Sequence, residues 1–247
     1  MNRKTNEKQL SFLRLSSEAQ SHLHHGKKTE ALKCYDDFLA QYPDDIKAFY
    51  GKGMIYYEFN EFEKAIENFD LALKVDETHV DSLYAKGVVL NAQGFHEDAI
   101  ALFNKIIQLE ENFALAWLAK GYALLEVNKA EEALECFLQV EQLNNRLDVS
   151  TGKGHAYRLL QQLKKAKKSY LQALATDPYD ADALYGLGAI AFSTNKLKEA
   201  TDLLYKCVAQ DDGHLSAWEI LAKIYQKTNQ QDKEQVARKR IAQLKEK

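Results

Sequence analysis

The chain has 247 residues, 46% of them apolar, a formal charge of −3 and only two Pro. This leaves ample material for a core and excludes global electrostatic attraction to nucleic acid or acidic membranes. Three Cys, at 34, 136 and 207, are too few and too scattered for a disulfide framework or a metal knuckle, so they read as free thiols.

Residues 1–11 contain no apolar leader core, and no stretch approaches the ~20 apolar residues of a membrane span, so a cytoplasmic chain without membrane contact is expected. From residue 12 onward a period appears. A small residue recurs at Ala19, Gly53, Gly87, Gly121, Gly154, Gly188 and Ala222, and an Ala recurs at Ala31, Ala65, Ala99, Ala133, Ala166 and Ala200. Both series step by 34, with one step of 33 between the fourth and fifth members. The units are therefore 12–45, 46–79, 80–113, 114–146, 147–180, 181–214 and 215–247.

Each unit predicts two helices. A large apolar residue (Leu15, Phe49, Leu83, Trp117, Leu184 and Trp218) stands four before the small one, and a mainly apolar residue such as Tyr56, Leu90, Leu124, Tyr157 or Tyr225 stands three after it. That spacing is one stripe of a helix. A turn follows at Gly26, Asn60, Gly94, Asn128, Gln161, Asn195 and Asn229, mostly residue types that tolerate the left-handed conformation ending a helix. A second apolar stripe comes next, as in Ala65, Phe69 and Ala72. The acidic connectors YPDD, VDET, LEEN, TDPYD and QDDG suit the start of the following helix, where backbone N–H groups are unpaired. The fifth unit departs by placing Ser150 where an aromatic is expected. The seventh has Glu234 and Arg238 in its second stripe, with Ala237, Ile241 and Leu244 offering a replacement stripe, and reads as a polar end cap.

Small residues at these positions allow two helices to cross closely while larger neighbours fill the hollows. The pattern resembles the tetratricopeptide repeat (TPR) family over nearly the whole chain. The resemblance implies an all-α fold, a right-handed superhelical solenoid of about seven stacked helix-turn-helix repeats whose first helices line a concave face. It also implies a non-enzymatic scaffold or adaptor that binds a protein or peptide.

Several motifs invite a reading as sites. STGKGH at 150–155 lacks the Gly at Leu147 and the Ser or Thr after Lys153 that a phosphate loop needs. Its Lys-Gly pair recurs at Lys52, Lys86 and Lys120, a ladder whose stems are expected to pack along the stack. His22 and His25 in HLHH are three apart, but without a carboxylate or Cys inside that stretch no metal site is expected. No catalytic constellation and no cofactor signature stands out. The basic runs LKKAKKSY and ARKR fall on second helices, so nucleic-acid binding is disfavoured. The carboxylate clamp that many family members use for acidic chaperone tails would fall by register on Tyr50, Met54, Ala85, Leu115 and Ala119, none of which can serve.

The first-helix face opposite the core stripe carries Tyr50, Met54, Tyr57, Tyr84, Val88, Leu118, Tyr122, Leu125, Tyr185 and Phe192, where an ordinary amphipathic helix would be polar. Gly51, Ala85, Ala119, Gly152 and Gly186 beside them suggest room for another chain. His155 and Arg158 interrupt the row and offer polar contacts. A monomer holding an apolar segment of a partner in this groove is the functional expectation, with a self-assembling homo-oligomer as the alternative.

Overall fold

The computed structural model describes residues 3–143 and 146–246, with side chains from residue 6 onward. The expected junction between the fourth and fifth units includes residues 144 and 145, which lie outside the described residues. The chain divides into two compact units, 1–123 and 124–247. Among the described residues there are fourteen α-helices and no strand.

In the first unit, α1 (Arg3–His24) packs on α2 (Lys28–Gln41), α3 (Ile46–Glu58) on α4 (Phe62–Val75), and α5 (Val80–Ala92) on α6 (His96–Leu109). The boundary falls within α7 (Ala114–Glu126). In the second unit, α8 (Ala130–Gln142) packs on α9 (Ser150–Leu159), and α9 packs on α10 (Leu163–Thr176). The pairs α11 (Ala181–Ser193) with α12 (Leu197–Gln210) and α13 (Leu215–Lys227) with α14 (Gln231–Lys245) complete it. Residues 3–11, read from sequence as a separate N-terminal segment, belong to α1.

Both periodic series lie in the core. Ala31, Ala65, Ala99, Ala133, Ala166 and Ala200 are all fully buried, and the small first-helix series is buried throughout. The turn series is equally regular. Asn60, Asn128, Gln161, Asn195 and Asn229 have φ between 55° and 59°, and Gly26 and Gly94 have φ of 68° and 85°. Each first helix in these pairs thus ends in one left-handed residue, which reverses the chain into the second helix. Gln161 lacks the tolerance of Gly or Asn for this conformation.

The small residues accept rings. A Cβ added to Gly53 would lie 2.4 Å from the Phe69 ring, one on Gly87 2.7 Å from Phe103, and one on Gly154 2.4 Å from Tyr170. Second-helix rings also pack forward into the next helix pair, and Tyr170 does both. Cβ atoms on Gly51, Gly152 and Gly186 would lie 2.5, 2.5 and 2.2 Å from ring atoms of Tyr35, Phe137 and Tyr170. The notches at Gly51, Gly152 and Gly186, expected to admit another chain, are therefore already filled by aromatics of the preceding second helix.

Helix starts are capped as the acidic connectors suggest at two places. Asp45 accepts from the Ala48 amide (3.0 Å) and Asp180 from the Ala183 amide (2.8 Å). At α5 and α13 a His does this work, with Nδ1 of His79 accepting from the Ser82 amide (3.3 Å) and Nδ1 of His214 from the Ala217 amide (3.2 Å). The end helix α14 buries Ala237 completely and packs Ile241 on the terminal core, while Glu234 and Arg238 pair with each other on its surface. The short α9, ten residues against thirteen in the other first helices from α3 onward, follows the one-residue deletion, and Ser150 is buried where an aromatic is expected.

Candidate functional site

In the first unit the first helices α1, α3 and α5 enclose a groove of about 720 Å³. Its apolar lining includes Phe12, Tyr50, Met54 and Tyr57, and Lys47, Glu58, His79 and Asp81 supply polar and charged groups. Tyr50 packs edge-on to His79, with ring centroids 6.0 Å apart. Burial first, and then the nearby Asp81 carboxylate, push the Tyr50 hydroxyl above the usual tyrosine range, so it stays a neutral hydrogen-bonding group.

Of the residues chosen from sequence, this groove brings together Tyr50, Met54 and Tyr57. Tyr84 instead leans on Phe103 (6.0 Å) and Phe113 (5.8 Å), and Val88 packs with it on the same core. Leu118 is half-buried and Tyr122 exposed, and neither lines the groove. Phe12 and His79 escaped the sequence reading because one lies at the edge of the first unit and the other in a connector. Only the fold turns them toward Tyr50.

The second unit presents a polar and aromatic surface on α9, α11 and the start of α13. His155 is held by Tyr170, whose hydroxyl is hydrogen-bonded to Nδ1 at 3.1 Å. Burial pulls the imidazole down to about 4, so it is neutral near pH 7. The Tyr170 hydroxyl is pushed up to about 12, again by burial. The guanidinium of Arg158 lies over the Tyr185 ring at 5.8 Å, and its Nε is buried without a hydrogen-bond partner. Tyr185 stacks on His214 at 4.5 Å, and His214 uses Nε2 to reach Asp182 at 3.3 Å. That hydrogen bond holds the Asp182 carboxyl below its usual range. Thr151 donates to Asp180 at 2.5 Å. Of the sequence-chosen residues, His155, Arg158 and Tyr185 meet here. Phe192 lies under the Lys227 ammonium (4.9 Å), and Leu125 is half-buried.

Three of the four ladder lysines are tied down by ion pairs to the preceding second helix. Lys52 pairs with Asp36 (2.6 Å), Lys86 with Asp70 (2.6 Å) and Lys153 with Glu141 (2.7 Å). Lys120 sits over the Trp117 ring. A free basic track is not what these side chains form. Cys34, Cys136 and Cys207 are buried, and none of them forms a disulfide among the described residues. No helix among the described residues is long and apolar enough to cross a membrane.

Models of the tetratricopeptide repeat match residues 17–77, 53–112 and 84–146, and a further TPR model matches 154–201. A search of curated proteins returns no match. Solved structures share the fold at low identity. A tetratricopeptide repeat protein from Parabacteroides merdae superposes with a TM-score of 0.82 at 13% identity, covering 95% of this chain and 93% of its own. PilF of Pseudomonas aeruginosa gives 0.71 at 18%, covering 88% and 99%. YrrB, described as a TPR protein with an unusual peptide-binding site, gives 0.57 at 20%, covering 75% and 96%.

Proposed function

Because the chain belongs to the tetratricopeptide repeat family, a family of protein–protein interaction scaffolds, we propose that it is a non-catalytic adaptor whose first-helix faces hold an extended or helical apolar segment of a partner protein. The observation that carries this reading is the groove of about 720 Å³ in the first unit, where partly exposed Phe12, Tyr50, Met54 and Tyr57 converge. Rings with a polar tip make effective anchors, since they bury large area at small cost in side-chain freedom. Charged Lys47, Glu58 and Asp81 beside the rings can fix the direction of a bound chain. In the second unit, the unpaired Nε of Arg158 favours a carbonyl or carboxylate of the ligand, because a buried donor without a partner costs free energy until one arrives. YrrB's peptide-binding site supports the same general use of the fold.

The test is selection of random peptides displayed on phage against the intact chain. An enriched apolar motif is expected, and its synthetic peptide should bind at least tenfold more weakly to a Tyr50→Ser/Tyr57→Ser variant of unchanged helical content. No enriched motif, or binding indifferent to both Tyr, overturns the reading. Self-assembly is the rival outcome. It would appear as concentration-dependent light scattering abolished by the same two substitutions.

A further inference from the structure

We propose that Glu18, His22 and Cys34 form a binding site for a divalent cation of zinc's borderline softness, built between α1 and α2 and separate from the groove. Glu18 and His22 stand four apart on α1, and so on one face of the helix. Cys34, buried on α2, is brought against that face by the turn at Gly26. The carboxylate oxygen, imidazole nitrogen and thiol sulfur all lie within 4.8 Å of one another. Oxygen, nitrogen and sulfur donors together suit Zn²⁺, which takes all three in tetrahedral sites.

Tetrahedral coordination would place these donors roughly 3.3–3.6 Å apart, given Zn–N and Zn–S bonds of ~2.0 and ~2.3 Å. Rotation of the solvent-exposed Glu18 side chain and the half-exposed His22 ring covers the remaining ångström or so without moving either helix. None of the three side chains makes a hydrogen bond to another residue, or an ion pair, among the described residues, so the thiol proton is the main group that binding has to displace. His25 lies outside this donor cluster, with its Nδ1 donating to the Ser21 carbonyl at 2.7 Å.

Burial first, and then the Glu18 and Asp37 carboxylates, hold the Cys34 thiol above its ordinary range, opposed by its own backbone and Lys33, so the thiolate that a metal needs is disfavoured until one binds. Binding must release the thiol proton, so affinity rises with pH. Three protein ligands leave a fourth position for water. The bound ion would pin α1 to α2 through one face of α1, while Phe12, Ser16 and Gln20 on another face form a wall of the groove.

The test uses tag-free, metal-stripped full-length protein titrated with Co²⁺ and then Zn²⁺. One equivalent of Co²⁺ should give a thiolate-to-cobalt charge-transfer band in the near ultraviolet, and Zn²⁺ should bleach it. Cys34→Ser should abolish the band, and His22→Gln and Glu18→Gln should each weaken binding at least tenfold. His24→Gln and His25→Gln should leave it intact. Zn²⁺ should raise the melting temperature of the wild type and leave that of Cys34→Ser unmoved, with circular dichroism checking that each variant is folded. Absence of the band in the wild type, its persistence in Cys34→Ser, or wild-type affinity in folded His22→Gln would overturn the proposal.

Discussion

Gly186→Ala adds one methyl group at the junction between two helix pairs. The new Cβ would lie 2.2 Å from Cζ of Tyr170 and 2.5 Å from both Cε atoms. Carbon atoms normally approach to ~3.5–4.0 Å, so the ring or the helix has to retreat by roughly 1.3 Å. The ring has nowhere to go. Tyr170 is fully buried, its opposite neighbour is Gly154, where an added Cβ would already fall 2.4 Å away, and its hydroxyl is bonded to His155. The helix must therefore shift. Ala is the better helix former by ~1 kcal/mol, while overpacking of this kind costs ~1–3 kcal/mol or more. With an overlap this deep the steric term wins, and a net loss of about 2 kcal/mol lowers the melting temperature by roughly 4–8 °C for a chain of this size. A double-mutant cycle isolates the contact. Tyr170→Leu alone leaves a cavity, but combined with Gly186→Ala the cost should fall at least 1 kcal/mol short of additivity, since the Cβ then fills part of the space. Thermal and urea melts of the four proteins read this directly. A Gly186→Ala protein as stable as wild type, or strict additivity in the cycle, would refute the account of this notch as a ring socket.

Gln161 is the one turn residue of the series that is neither Gly nor Asn, at φ 57°, so Gln161→Asn should stabilise by about 0.5–1 kcal/mol in a melt; no gain would mean that the conformation there is unstrained. His155 takes up its proton near 6.5 when unfolded and near about 4 when folded. Between those values the unfolded state holds more protons, so stability falls as pH drops from about 6.5 to 4, by an order of 3 kcal/mol. Asp182, Asp180, Arg158 and His214 are the charged or titratable neighbours that act on it, and the lowered carboxyl of Asp182 costs stability only at still lower pH. His155→Gln keeps an acceptor for Tyr170 and should flatten the profile between pH 6.5 and 5; an unchanged slope would assign the effect to another group. Deleting residues 230–247 uncovers Leu221, Ile224 and Tyr225, all nearly fully buried, each worth ~1.5–3 kcal/mol of apolar burial. Aggregation or a lower melting temperature is expected, and a truncated protein as soluble and stable as the whole would show that α14 is not a cap.

The sequence by itself determined the repeat. Its small-residue series, its Ala series and its left-handed turn series each answer a requirement met within a short stretch: a close helix crossing, a buried interface, a chain reversal. Those requirements leave marks at fixed spacing, so the buried Ala31 to Ala200 series and the positive-φ residues from Gly26 to Asn229 could be named without coordinates. The aromatic face was also visible, because Tyr50, Met54 and Tyr57 break the amphipathic rule of a surface helix. What only the tertiary structure decided is which of these residues meet across helix pairs. Gly186 looked like space for a ligand and is the socket for Tyr170; Lys52 and Lys86 read as a ladder of packed stems, and their ammonium groups find Asp36 and Asp70; His79 and His214 looked like connector residues and are helix caps against Tyr50 and Tyr185. His22 finds Cys34, and Arg158 finds Tyr185, in the same way. Each pairing joins residues on different helices, and depends on the rotation and offset of one helix against another. That geometry is summed from many small packing contacts, so no periodicity within a single repeat encodes it.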